Sequence, residues 1–151
     1  KTSVLLGFAL ELGGLIGGAD ADSREQLRLG GQHLGIGFQL KDDLLDVYGD
    51  PAKFGKQVGG DIIANKKTFL LIEALEKADA RQRSELDGWL QRSAFDNAEK
   101  VAAVTALYDQ LGIRALTESR IKEHFRRGFA HLENVAADPA RKEQLLTFTH
   151  Q

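Results

Sequence analysis

The chain reads as all-α, an antiparallel helical bundle. Three observations predict this class. β-branched residues are sparse and never alternate over a useful length, so strands have no support. Apolar residues recur at helical spacing through most of the 151 residues. The two prolines, Pro51 and Pro139, both fall at natural breaks between helix-favouring stretches.

The first element, Thr2 to Ile16, is strongly apolar and rich in small residues, and it is expected to be a buried helix. Gly17-Gly18 ends it, and Asp20 or Asp22 can cap the next helix, from about Ser23 to Tyr48. That helix carries Gly30, Gly31, Gly35 and Gly37. Each costs roughly 1 kcal/mol relative to alanine, which close helix-on-helix packing would justify. Gly49-Asp50-Pro51 stops the helix, and a loop rich in glycine and lysine runs to about Ala64. Asn65 can cap a third helix reaching Lys77. Helices are expected near 80–92 and 97–111, with a break at Gly112, then from about Arg114 to Val135. Pro139 suits the first turn of a last short helix. No internal repeat or low-complexity linker appears, so residues 1–151 read as part of one domain.

Composition narrows the function classes. The formal net charge is −2, so no general field attracts nucleic acid or an anionic membrane. The chain holds no cysteine, which excludes disulfides, thiolate metal sites and a cysteine nucleophile within it. This fits a reducing compartment, and a cytoplasmic location is expected. No apolar run reaches the roughly 20 residues that span a bilayer. Methionine is absent and the first residue is Lys1, which reads as a fragment of a longer protein.

The chemistry concentrates between Gly37 and Thr68. Asp42 and Asp46 are four apart on a helix and share a face, with Asp43 about a hundred degrees round. Carboxylates this close repel one another, and a divalent cation relieves the repulsion. Mg²⁺ is a hard ion that takes oxygen ligands and retains several waters. An acidic helix alone is usually a solvated face. This one is flanked by Ile36, Phe38, Leu40, Leu44, Leu45 and Val47, an enclosed setting in which carboxylates need partners. Downstream, Lys53, Lys56, Lys66 and Lys67 accompany Gly55, Gly59, Gly60 and Asp61. Glycines let backbone N–H groups face an anion, and lysine binds phosphate as a point charge. The combination describes a Mg²⁺–polyphosphate site, and the loop lacks the nucleotide P-loop pattern.

The stretch resembles the polyprenyl synthetase family, the trans-isoprenyl diphosphate synthases. Phe38-Gln39-Leu40-Lys41-Asp42-Asp43-Leu44-Leu45-Asp46 is similar to the family's second aspartate-rich motif. Phe54-Gly55-Lys56, Gly60-Asp61-Ile62 and Asn65-Lys66-Lys67-Thr68 are similar to the segment after it, and Lys1-Thr2 to the family's Lys-Thr pair. Order and spacing match over about the first 75 residues. The family's first aspartate-rich motif would precede Lys1-Thr2 and is not in the chain. Arg126-Arg127-Gly128 has no aspartate cluster before it and is a chance match.

The resemblance implies an isoprenoid-synthase-type bundle, of which this is the C-terminal portion. It implies a Mg²⁺-dependent trans-prenyltransferase that condenses an allylic prenyl diphosphate with isopentenyl diphosphate, with the fragment alone inactive. Asp42 and Asp61 are then the direct metal ligands, Asp46 acts through a water and Asp43 supports them. Lys1, Lys56 and Lys66 contact the allylic diphosphate, Thr2 and Gln39 bond near the departing group, and Phe38 lines the prenyl cavity or packs in the core. A homodimer is implied, and no nucleic-acid partner. The alternative is a non-catalytic or regulatory subunit that kept the bundle; the upstream coding sequence discriminates, through presence of the first motif. A terpene cyclase fits less well, because its usual mixed Asn/Ser/Thr/Glu metal motif is not apparent. His33 reads as packed or exposed, His124, His131 and His150 as surface, and Trp89 as the anchor of a peripheral helix.

Overall fold

A computed structural model describes residues 2–50, 58–138, 140, 142, 143 and 147. Among them are seven helices and no strand, as the sequence predicts. They are α1 (Thr2–Ile16), α2 (Ala21–Tyr48), α3 (Gly60–Ile63), α4 (Phe69–Lys77), α5 (Ala80–Gln91), α6 (Asn97–Gln110) and α7 (Ile113–Glu133). The chain divides into two compact units, one of Lys1–Gln39 with Arg120–Gln151, the other of Leu40–Ser119.

Local chemistry sets the ends of the elements. Asp20 caps α2, its Oδ1 accepting the Ser23 N–H at 2.7 Å. Asp79 and Gln82 form a reciprocal capping box at α5, and Asp96 caps α6. Gly112 follows α6 with φ 67°, a left-handed conformation glycine adopts without strain. Asp138 accepts the Ala140 N–H at 2.9 Å at the expected start of the last helix, while Pro139 lies outside the described residues.

The first unit is built on close backbone approach. A Cβ on Gly31 would stand 2.8 Å from Gly7 Cα, and one on Gly35 would stand 2.5 Å from Ser3 Cα. A Cβ on Gly30 would meet Leu132 at 2.8 Å. The glycines of α2 therefore bring α1 onto one side of this helix and α7 onto another. Leu27, Leu34, Leu132 and Val135 form the core beside these crossings.

Two expectations for this unit are corrected. Helix α1 is not buried within the chain: of its residues only Gly7 is buried, while Val4 is 62%, Phe8 57% and Ile16 80% exposed. A helix apolar on every side needs cover on every side, and α2 covers the side of Gly7. His124 and His131 are half-buried rather than surface residues. They lie seven apart on α7, which is drawn against α2, and they meet His33. His33 Nδ1 and His124 Nδ1 are 3.0 Å apart, one ring donating and the other accepting. The His33 and His131 rings stack with centroids 5.6 Å apart. His150 lies outside the described residues.

The second unit is organised on α6, which α3, α4 and α5 all contact. Val47, Ile62, Leu70, Leu86, Trp89 and Leu107 belong to its core. Trp89 thus sits in the main core, with the Arg92 guanidinium 4.0 Å from its ring centre. The expected glycine-rich loop contains the short helix α3. The helix expected from Asn65 begins instead at Phe69, capped by Thr68, whose Oγ1 accepts the Leu71 N–H at 3.3 Å. Both residues are good caps by type; Thr68 is the one adjoining the apolar run, and Asn65 serves another purpose.

Candidate active site

Within the second unit, the last turns of α2, the short α3 and the turn before α4 bring four of the expected site residues together. The acidic residues occupy the unfavourable end of α2, where its dipole is negative and its last turn holds no basic residue. Asp43 is buried, Asp46 half-buried and Asp42 exposed. Such a placement costs stability unless cations or N–H donors compensate it.

Both kinds of compensation are present. Gly59, with φ 89°, donates its N–H to Asp46 O at 2.6 Å and turns the chain into α3. A Cβ there would also stand 2.5 Å from Val101, so space and conformation both require glycine. The turn puts the Asp61 N–H on Asp46 Oδ2 at 2.8 Å. Lys66 then closes the group: its Nζ lies 3.0 Å from Asp43 Oδ1 and 2.7 Å from Asp61 Oδ2. One ammonium thus bridges carboxylates from two elements 18 residues apart in sequence.

The protonation equilibria follow from this geometry. Burial pushes the Asp46 carboxyl above its ordinary range, and the charges of Asp61 and Asp42 push the same way, against the Asp61 N–H and Lys66. Lys66 is held well above the ordinary lysine value, first by its bond to Asp61 and then by that to Asp43, so it is a cation at every physiological pH. The Lys66 side chain is also 46% exposed.

The donors are hard carboxylate oxygens, the type a Mg²⁺ ion takes, and the pressure of two carboxylates, Asp61 and Asp42, on Asp46 is the charge state a divalent cation relieves. Among the described residues no three carboxylates or imidazoles converge as a ligand cluster, and Lys66 bridges Asp43 and Asp61. An ion that keeps most of its waters needs only one or two of them.

The remaining site residues stand apart from this description. Lys1 and Lys56 lie outside the described residues, as do Lys53, Phe54 and Gly55. Thr2 and Gln39 are exposed, and Phe38 is 63% exposed, so Phe38 does not pack in the core. Sequence reasoning missed Lys100, whose Nζ donates to Asn65 Oδ1 at 2.6 Å. A lysine inside the apolar pattern of α6, among Ala102, Ala103 and Val104, was the available signal.

The sequence profile described as polyprenyl synthetase matches residues 1–108. Over 146 residues the chain is 32% identical to the geranylfarnesyl diphosphate synthase of Aeropyrum pernix, covering 97% of this chain and 44% of that protein. A crystal structure of a geranylgeranyl pyrophosphate synthase superposes with a TM-score of 0.87 at 36% identity, over 99% of this chain and 46% of that one. A second such synthase, from Corynebacterium glutamicum and complexed with isoprenyl diphosphate and magnesium, superposes with a TM-score of 0.77 at 33% identity, over 91% and 39%. The chain spans about half the length of the curated relatives it matches. With the profile covering most of its residues, the chain belongs to the polyprenyl synthetase family.

Proposed function

We propose that the whole protein is a Mg²⁺-dependent trans-prenyltransferase, with this chain as the C-terminal part of its single isoprenoid synthase domain. It joins an allylic prenyl diphosphate to isopentenyl diphosphate. In that reaction the allylic C–O bond breaks, the diphosphate leaves with the electron pair, and the double bond of isopentenyl diphosphate attacks the cationic carbon. The proton lost from the condensed cation goes to the departing diphosphate.

The observation that carries the reading is the Lys66 bridge between Asp43 and Asp61 beside the desolvated Asp46. It gathers acidic oxygens and a permanent cation at one place, which diphosphate departure requires. Asp42 and Asp61 would hold the metal directly and Asp46 through a water, with Asp43 fixing Lys66. When bound, Mg²⁺ supplies the positive charge that stabilises the leaving diphosphate. Lys66, with two of its three donors on carboxylates, turns the third toward a phosphate oxygen. Lys1 and Lys56 add further cations, Thr2 and Gln39 hydrogen bonds, and Phe38 an apolar wall. The exposed apolar residues of α1 support a homodimer or a larger bundle in the whole protein, for which a cytoplasmic location is proposed.

The test is turnover of the whole protein with radiolabelled isopentenyl diphosphate and an allylic diphosphate, with and without chelator. Asp42→Ala, Lys56→Ala and Lys66→Ala are each expected to lower kcat at least a hundredfold, on the order of an electrostatic group lost from a transition state. Wild-type rates in all three variants, or in chelator, would remove the proposal. The isolated 151 residues are expected to bind diphosphate and not to condense.

A further inference from the structure

Lys100 is 1% exposed, one of the most deeply buried side chains of the second unit. A buried ammonium is costly unless its donors are satisfied. Lys100 satisfies them without a carboxylate: no ion pair among the described residues includes it. Its Nζ donates to Asn65 Oδ1 at 2.6 Å and to Ile63 O at 3.4 Å, and lies 4.1 Å from the centre of the Phe95 ring. Burial holds its pKa below the ordinary lysine value, as expected of a cation with only neutral partners.

Both hydrogen-bond acceptors belong to one turn, the link between α3 and α4. Asn65 has φ 52°, and among the described residues it is the one non-glycine with positive φ. A left-handed residue with a side chain is strained and persists where its surroundings hold it. Asn65 is held at both ends of its amide. Its Oδ1 accepts from Lys100, and its Nδ2 donates to Leu90 O at 3.1 Å. The next residue is Lys66, whose N–H returns to Asp61 O at 3.0 Å and whose ammonium bridges Asp43 and Asp61. The conformation at Asn65 decides the direction in which Lys66 leaves the backbone.

We propose that Lys100 is a positioning residue for the diphosphate site, holding the Asn65 turn that aims Lys66 at Asp43 and Asp61. The proposal rests on the function assigned above. It specifies that Lys100 touches neither substrate nor metal and acts through the turn at Asn65. A purely structural lysine would change the melting temperature and leave anion affinity where it is.

The experiment titrates inorganic pyrophosphate with Mg²⁺ into the whole protein by calorimetry, with a thermal melt on each variant. Lys100→Met keeps the stem and removes the donors; its affinity is expected to fall roughly tenfold, the scale of one charge-assisted bond set out of place. Asn65→Ala is expected to fall equally. Asn65→Gly adopts the left-handed turn without strain and is expected to fall less, and adding Lys100→Met to it should change nothing further. Wild-type affinity in Lys100→Met, or an equal loss in the Asn65→Gly background, overturns the role of Lys100. If Lys100→Met does not fold, equal affinities for Asn65→Ala and Asn65→Gly overturn it instead. Absence of pyrophosphate binding by the unsubstituted protein removes the proposed function, and this role with it.

Discussion

Asp46 carries the cost of the site. Its folded pKa is raised above the ordinary 3.8, so ionisation at neutral pH opposes folding. The stability it contributes is full below pH 3.8 and is lost as pH rises through the folded value. Asp46→Asn keeps an oxygen for the Asp61 N–H and removes the charge. Its unfolding free energy at pH 7 is expected to exceed wild type by roughly 0.5–1 kcal/mol, with the difference gone below pH 3.8. Urea titrations at several pH values measure this, and turnover is expected to fall while stability rises. Lys66→Met acts in the opposite direction. It removes the ammonium shared by Asp43, whose side chain is 8% exposed, and Asp61, and a loss of about 1–2 kcal/mol is expected, between the values for exposed and buried pairs.

At the scale of elements, the glycines of α2 are contact surfaces. Gly35→Ala places a methyl 2.5 Å from Ser3 Cα, which is backbone and cannot rotate away. Helix α1 must then shift, at roughly 1–3 kcal/mol. Gly88→Ala in α5 is the control: nothing lies within 4 Å of its Cβ, and a gain of about 0.5–1 kcal/mol is expected from helix propensity. Chemical denaturation separates the two signs. The histidine cluster gives the α2–α7 crossing a pH dependence. His33 is lowered by burial and by the neighbouring His124 and His131, and His124 chiefly by burial. Arg127 and Arg120 also disfavour a charged His124, and Glu123 favours it. Because the folded values lie below the ordinary 6.5, the contribution is full above that pH and lost as pH falls through the folded values. The melting temperature is expected to drop between pH 7 and 5, and to drop less in the His33→Gln, His124→Gln double variant.

For the molecule as a whole, α1 is the informative surface. Val4, Leu5, Phe8, Leu15 and Ile16 are each more than half exposed. Adjacent apolar residues in this number mark a surface that something covers. The isolated 151 residues are expected to bind a hydrophobic dye and self-associate at micromolar concentration, and Phe8→Ser with Ile16→Ser to reduce both, as read by sedimentation velocity. No helix among the described residues is long and apolar enough to cross a membrane.

By itself the sequence determined the helical class, most helix ends and the stretch that holds the candidate site residues. These are local properties: apolar periodicity, caps such as Asp96 and the left-handed Gly112 act within a few residues, and Asp43, Asp46, Asp61 and Lys66 lie in one short stretch. Only the tertiary structure decided which neighbours those residues meet. That Asn65 is a strained turn and not a cap depends on Lys100, 35 residues away, and on Leu90. The histidine contact between α2 and α7 spans 91 residues, and the exposure of α1 depends on which of its faces α2 covers. Periodicity reports that a helix is apolar; the packing of distant elements decides which side is satisfied.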